Sequence, residues 1–128
     1  MTVGLSTVAV ANAMLNGFRN SAFQNAATYV ELHTGDPGTG ATAVSAGSTV
    51  RLAATLSAAS GGAVALSGNV GPWTNGGATE TVSHVAVWTA STAGTFLWSA
   101  QLTTSKAWVS GDTLTLTTLG MSLAPLAA

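Results

Sequence analysis

The chain has 128 residues, enough for one domain with a sandwich or barrel core and too few for two. Only 5% of the residues are charged and the net charge is −1 at pH 7, against a charged fraction of roughly 25% in average globular proteins. No basic field is available to attract phosphates, so we expect no nucleic-acid partner.

The scarcity of charge also predicts self-association. A surface of Thr, Ser, Gly, Ala and Asn with almost no net charge offers little electrostatic repulsion between copies. Such a surface suits a permanent assembly in which neighbouring subunits cover much of it. The chain has no cysteine, so disulfides and thiolate metal sites are excluded.

The N-terminal stretch MTVGLSTVAVANA imitates a secretory signal, but no basic residue precedes its apolar run, since Arg19 is the first cation. We therefore expect it to belong to the folded domain, which we place over residues 1–128. Ser, Thr, Asn and Gly interrupt every apolar run before the ~20 residues that a spanning helix needs, so no membrane partner is expected.

The first predicted element is an α-helix within residues 1–20, which could also act as an arm. Ser6 or Thr7 can cap it, and Gly17 or Asn20 lies near its end. Its apolar positions recur at spacings of three and four, namely Val8, Val10, Ala11, Met14, Leu15 and Phe18. This stripe needs either the domain's own sheet or a neighbouring subunit, so Met14 and Phe18 are candidate partner contacts.

After residue 27 the sequence becomes short β-branched and aromatic runs separated by Gly, Pro, Asn and Ser. This pattern predicts a mainly β, antiparallel domain, either a jelly-roll-like β-sandwich or a small barrel. The predicted strands span residues 28–34, 50–57, 62–67, 82–90, 95–102 and 113–124.

Two long loops, residues 35–49 and 68–78, separate these strands. Loops of this length are typical of binding loops or of arms that order against a partner. In the first, Asp36 and Pro37 form a tight turn and are candidate partner contacts. In the second, Trp73 is a candidate contact if it is exposed, and otherwise the loop is a lid over one end of the core.

The segment HVAVWTASTAGTFLWSAQL predicts a hairpin. If residues 92–94 form its loop with Gly94 left-handed, Trp88 lies opposite Trp98 and Ala86 lies opposite Ala100.

The last predicted strand, TLTLTTLGMSL, changes parity in its middle. Leu114 and Leu116 alternate cleanly, whereas Leu119, Met121 and Leu123 resume on the opposite parity. A bulge near the two adjacent threonines would keep all five side chains on the core; without it, the strand would pass from one sheet's interior to another surface.

The stretch YVELHTGDPGTG is the one place where metal chemistry is suggested. On a strand, Glu31 and His33 share a face, and His84 or Glu80 from elsewhere could complete a ligand set. The alternative is that the intervening aliphatic side chains are buried while Glu31 and His33 are solvated. We favour this alternative, because two distant histidines without a third fixed ligand carry little information.

The sequence gives no support for catalysis. No serine lies in a Gly-x-Ser-x-Gly elbow, and Lys106, the only lysine, lies in no phosphate-binding loop. The carboxylates lie in or beside polar turns, which explain them without a catalytic pair. We therefore predict no catalytic residues, no cofactor and no metal, and we predict that the protein is not an enzyme.

Four tryptophans raise the possibility of a sugar-binding module. Trp88 and Trp98 are expected in the hairpin core, which leaves Trp73 and Trp108 as a candidate platform for stacking on a host-surface glycan.

The order of motifs resembles a family of small phage virion structural proteins. Its most specific pieces are LHTGDPG at residues 32–38, the SHVAVW to GTFLW hairpin, and SGDTL at residues 110–114. Members are labelled minor tail protein or tail fibre protein in phages of actinobacteria. The family usually has Trp-Asp-Ala in the hairpin turn, where this chain has Trp-Thr-Ala at residues 88–90.

The resemblance covers nearly the whole chain and implies a non-enzymatic virion component whose partners are other virion proteins. It implies a tail location more than the capsid surface. A capsid decoration protein, a small, weakly charged β-domain that assembles as a trimer through a terminal arm, fits the same features, and we favour a trimer. The rivals are a carbohydrate-binding host-attachment module and a metal-dependent hydrolase that uses His33.

Overall fold

The computed structural model describes residues 3–123 and is mainly β, as predicted. Every ladder that joins its named strands is antiparallel. The strands are β1 (Thr28–His33), β2 (Leu52–Ala54), β3 (Ala63–Ala65), β4 (Val70–Thr74), β5 (Glu80–Trp88), β6 (Phe96–Trp108), β7 (Thr113–Leu116) and β8 (Gly120–Ser122).

The predicted N-terminal helix is present but irregular. It consists of a π-helical turn (Thr7–Asn12), a short α-helix α1 (Ala13–Asn16) and a 3₁₀ turn (Gly17–Arg19). The Ser6 hydroxyl caps its start by accepting from Ala9 N at 3.3 Å, and Asn20 ends it with a φ of 62°. No helix within residues 3–123 has the length and apolar character needed to cross a bilayer.

A four-stranded sheet in the order β2-β1-β5-β6 forms the centre of the fold. Its central pair places Val30 opposite Val87 and Leu32 opposite Val85, and all four side chains are buried. These aliphatic side chains alternate with polar ones along β1, so one face of the sheet is core and the other carries Glu31 and His33.

The remaining strands extend this sheet into an incomplete barrel. Residues 63–74 run antiparallel to residues 113–122 through the β3–β8 and β4–β7 ladders. A bridge between Leu56 and Leu66, and a hydrogen bond from Ser67 N to Thr55 O at 2.9 Å, join residues 63–74 to the chain that follows β2. The strands therefore follow one another from β6 round to β7 and β8. Within residues 3–123 no ladder closes the barrel between those two ends.

The predicted loop over residues 68–78 is partly wrong, because Val70–Thr74 forms β4. Pro72 falls where the register shifts between Val70 and Trp73, so the ladder does not need the N–H that proline lacks. Gly71 and Pro72, which are typical of turns, lie within a strand here.

The predicted hairpin register is wrong by one residue. Gly94 is left-handed, with a φ of 77°, but Ala93 is left-handed too, with a φ of 55°. A register shift after Val87 places Val87 opposite Trp98 and Trp88 opposite Phe96. The extra left-handed residue and the irregularity shift the pairing away from Trp88–Trp98.

The parity change in the last strand is absorbed by a break in pairing. β7 ends at Leu116 and β8 begins at Gly120, so the predicted continuous strand is wrong. Leu119 and Met121 still pack against the core, as a bulge would have arranged, whereas Leu123 is 52% exposed.

Candidate functional site

The long loop after β1 lies over the polar face of the four-stranded sheet. Thr34 N donates to Ala43 O at 2.8 Å, and Ser45 N donates to Leu32 O at 3.0 Å. Gly40 is buried against the Trp88 and Phe96 rings. The loop therefore orders against its own sheet, and the side chains beneath it are removed from water.

Glu31 is the centre of the first polar cluster under this loop and is only 6% exposed. Its Oε1 accepts from the Trp88 indole Nε1 at 3.1 Å and contacts His33 Nε2 at 3.1 Å. Its Oε2 accepts from Arg51 Nε at 3.0 Å. The expectation that Glu31 and His33 are solvated is wrong, because the loop covers the face that they share.

The charge state of this cluster follows from its donors. His33 Nδ1 lies 2.8 Å from Thr42 O, a carbonyl that can only accept, so Nδ1 carries a proton. Nε2 faces a carboxylate that already receives the Trp88 and Arg51 donors, and a hydrogen bond there requires a second proton. All of these hydrogen bonds can form at once when His33 is an imidazolium, Arg51 a guanidinium and Glu31 a carboxylate.

Burial raises the pKa of the Glu31 carboxyl, but hydrogen bonds from His33 and Arg51, together with the Arg51 charge, outweigh it. The net effect is a pKa below the ordinary value of 4.5. Both His33 nitrogens contact acceptors of the protein itself, and the residues at 3–123 contain no group of three potential ligands that could hold a metal.

Arg51 also ties the cluster to the hairpin turn. Its Nη1 donates to Ala93 O at 2.6 Å and to Ala90 O at 3.3 Å. The guanidinium carbon lies 3.9 Å from the centroid of the Trp88 ring, a cation–π contact. Our sequence reasoning gave Arg51 no role, although a lone cation entering a strand of an uncharged segment was a usable signal.

Glu80 is the centre of the second polar cluster, at the start of β5. Its carboxylate accepts from the Ser45 hydroxyl, from Ala46 N and Gly47 N at 3.0 Å each, and from the Trp108 indole Nε1 at 3.1 Å. Burial raises the pKa of Glu80, and these hydrogen bonds lower it further than burial raises it, to below 4.5. The far end of the loop is thereby fixed to β5 and β6.

Comparison with known proteins decides the family. Residues 4–124 match the model of a family described as podophage GP4 fiber I protein gp80. The chain belongs to this gp80 family. No curated protein matches the sequence. Membership confirms the resemblance to phage virion proteins at the level of a fibre protein.

In this gp80-family chain the predicted tryptophan platform is wrong. Trp73 and Trp108 are each 1% exposed. The Trp73 indole donates to Val50 O at 2.9 Å, and that of Trp108 donates to Glu80. Both rings are core residues whose polar atoms are satisfied, so neither presents a face to a sugar or to a partner.

The other predicted contact residues divide by exposure. Pro37 is fully buried and does not present a contact surface. Asp36 is half-buried and accepts from Gly38 N at 2.8 Å, which confirms the predicted tight turn. Met14 packs partly against the core, and Phe18 is 92% exposed. Phe18 is the predicted contact that is most available to a partner.

Phe18 belongs to a larger exposed set that we call the N-terminal apolar surface. Val8 is 78% exposed and Leu15 is 64% exposed, although Val10 on the same segment is buried. The members of the surface are Val3, Leu5, Val8, Leu15, Phe18 and Phe23. These six side chains all lie within residues 3–23, and large apolar side chains left in water gain free energy when a partner buries them.

Proposed function

We propose that this chain is a non-enzymatic structural subunit of a phage fibre, that it is associated with the tail, and that it assembles with copies of itself and with neighbouring virion proteins. The observation that carries the proposal is the match of residues 4–124 to a fibre family. The N-terminal apolar surface supports the assembly part.

The exposed apolar side chains give assembly a driving force. Burying a side chain such as Phe18 or Leu15 that is otherwise in water stabilises an interface by roughly 1.5–3 kcal/mol. The helical segment buries Val10 and packs Ala9 and Met14 partly against its own core, which leaves Val8, Leu15 and Phe18 for a neighbour. In a fibre, copies of the chain supply that neighbour.

The distribution of charge supports the same proposal. Glu31, Arg51 and Glu80 are engaged inside the fold by the contacts described above. The charged residues outside those clusters are Arg19, Asp36, Lys106 and Asp112. A surface with so few charges has little repulsion to oppose packing against copies of itself.

The chemistry of the two clusters supports a structural role over an enzymatic one. Each carboxylate receives at least three donors from the protein itself, and these contacts hold the loop on the sheet. A general acid or base needs a position from which to reach a substrate proton. We therefore place no reaction at His33, Glu31 or Glu80.

We propose three more specific points as well. The chain is a minor tail protein, its phage infects actinobacteria, and it assembles as a trimer. The trimer is proposed by analogy with capsid decoration proteins, and three copies in a closed ring would cover the N-terminal apolar surface of each one. Capsid decoration is the alternative location, because it requires the same weakly charged, self-associating β-domain.

Immunogold labelling of intact particles with antibody raised against the purified chain tests the proposal. We expect gold on the tail or its fibres. Gold over the head surface would overturn the tail location in favour of capsid decoration. Particles without label, in a preparation where control antibodies against known head and tail proteins bind, would overturn the virion role.

A further inference from the structure

The incomplete barrel has two free strand edges that face each other across a groove. One wall is β6 from Ala100 to Lys106, and the other is the chain from Thr113 to Leu119. The groove has a volume of about 400 Å³. Apolar side chains lie along it, and threonines are frequent on both walls. The apolar ones are Val85, Leu102, Leu114, Leu116 and Leu119.

The β6 edge already accepts an extended segment at one end. Ser6 N donates to Leu97 O at 2.6 Å, and Ser99 N donates to Gly4 O at 2.9 Å, around an antiparallel bridge between Leu5 and Trp98. Beyond Ser99, and among the residues that the structure covers, β6 pairs only with β5. Its outer backbone groups from Gln101 onwards are therefore free to pair.

This free stretch has few of the features that protect edge strands, although its pairing with β5 is irregular between Gln101 and Lys106. Residues 101–107 are QLTTSKA, with one charge, at Lys106, and no proline. Six of the seven residues are exposed, and only Leu102 is half-buried. A long edge with unpaired N–H and C=O groups and few charges is a template for a strand from another chain.

The chain contains a segment that suits this edge. Residues 21–27 lie outside any helix or strand, with a bend at Ala26 and a hydrogen bond from Asn25 Nδ2 to Ala27 O at 2.9 Å. Within the part of the chain described, their one backbone–backbone hydrogen bond is from Ser21 N to Asn16 O. The segment, SAFQNAA, carries no charge, and its Phe23 is 40% exposed. Once straightened, its seven residues would span about 23 Å, comparable with residues 101–107, because each strand residue rises about 3.3 Å.

We propose that residues 21–27 of one copy add as a strand to the β6 edge of a second copy, between β6 and the wall formed by residues 113–119. This inference rests on the proposed assembly of the chain in a fibre. The donor segment and the acceptor edge are different surfaces, so the contact is heterologous and repeats from copy to copy until a ring closes. Backbone pairing gives the contact strength, and Phe23 supplies apolar burial.

Disulfide trapping tests the contact directly, because the chain has no cysteine of its own. Phe23→Cys is combined in turn with Gln101→Cys, Thr103→Cys and Ser105→Cys, and each assembled protein is oxidised and run on a non-reducing gel. We expect one of the three pairs to give covalent dimers and higher oligomers. The matched control is Phe23→Cys with Thr92→Cys in the exposed hairpin turn, which should give none.

Sedimentation of the same samples separates the two proposals. If oligomers form but no pair crosslinks above the control, strand addition at β6 is wrong and the assembly function stands. If the protein sediments as a monomer and no pair crosslinks, both are wrong. If only one of the three cysteine pairs crosslinks between copies, that pair identifies which residue of β6 lies opposite Phe23.

Gln101→Pro provides a second test that does not depend on thiols. Ser99 N–H points away from β5, so by alternation the N–H of Gln101 points away from it as well. Proline there removes an outward donor and leaves the β5 pairing intact. We expect the dissociation constant of assembly to rise about tenfold, the effect of losing one hydrogen bond, with unchanged circular dichroism. An unchanged dissociation constant would overturn the proposal.

Discussion

Arg51 and Trp88 form the central contact of the loop-covered face, with the guanidinium carbon 3.9 Å from the indole ring centroid. Both side chains also donate to the Glu31 carboxylate, so the three groups close a triangle beneath residues 35–49. A buried charge network of this kind is costly to interrupt, because removing one member leaves a buried charge with fewer partners.

Arg51→Ala is therefore expected to lower the free energy of unfolding by roughly 3 kcal/mol, because a buried carboxylate loses one of its charged donors. Urea denaturation followed by tryptophan fluorescence measures the change. The matched control is Arg19→Ala, since Arg19 is exposed, and its effect should be within about 0.5 kcal/mol. Equal effects of the two substitutions would contradict the role assigned to Arg51.

Gly40→Ala tests the packing of the loop on the sheet. Gly40 has a φ of +100°, and a Cβ there would lie 2.5 Å from Trp88 Cζ2 and 2.9 Å from Phe96 Cδ2. We expect a loss of about 2 kcal/mol of stability from overpacking and a changed Trp88 emission. Gly68→Ala is the control, because nothing lies within 4 Å of its Cβ position. A neutral Gly40→Ala would mean that the loop does not pack on Trp88.

Glu80→Gln tests the attachment at the far end of the loop. The amide has one oxygen acceptor and no charge, so it cannot replace the hydrogen bonds from Ser45, Ala46, Gly47 and Trp108 together. We expect a loss of about 2 kcal/mol and faster hydrogen exchange at residues 45–48. Asp36→Asn, which alters a carboxylate with one backbone donor, should leave exchange at those amides unchanged.

Stability should also fall in acid. Glu31 and Glu80 both have a pKa below 4.5 in the fold, so folding favours their ionised forms. Their contribution is complete above the unfolded value and is lost as the pH falls through the lower, folded value. We expect the urea midpoint to drop as the pH is lowered below 4.5, with a shallower drop in Glu80→Gln. If the urea midpoint fell equally steeply with pH in both proteins, the lowered pKa of Glu80 would not contribute to stability.

The alternation of residues along β1 was sufficient to predict which side chains share a face. Glu31 and His33 were placed together correctly, because strand geometry fixes this. Their burial was not predictable, because the covering loop is Gly, Ala, Thr and Ser without a periodic pattern. Its contacts depend on a buried glycine and on a carboxylate at Glu80, more than thirty residues away.

Irregular strands were the harder part to predict. β4 was missed because Gly71 and Pro72 are turn residues in most sequences, and here they lie at a register shift. The burial of Trp73 follows from that strand, so a wrong element gave a wrong contact residue. The hairpin register depended on Ala93 being left-handed, which a residue with a Cβ rarely is.

We expect the exposed apolar side chains of the N-terminal segment to bring copies of this chain together. Sedimentation velocity of the full chain at micromolar concentration measures this. We expect one species with three times the chain mass of 12.6 kDa, and dissociation when Val8, Leu15 and Phe18 are replaced by serine. Val109→Ser, at another exposed position, should leave the assembly intact. A stable, soluble monomer of the unaltered chain would show that the N-terminal apolar surface does not drive assembly.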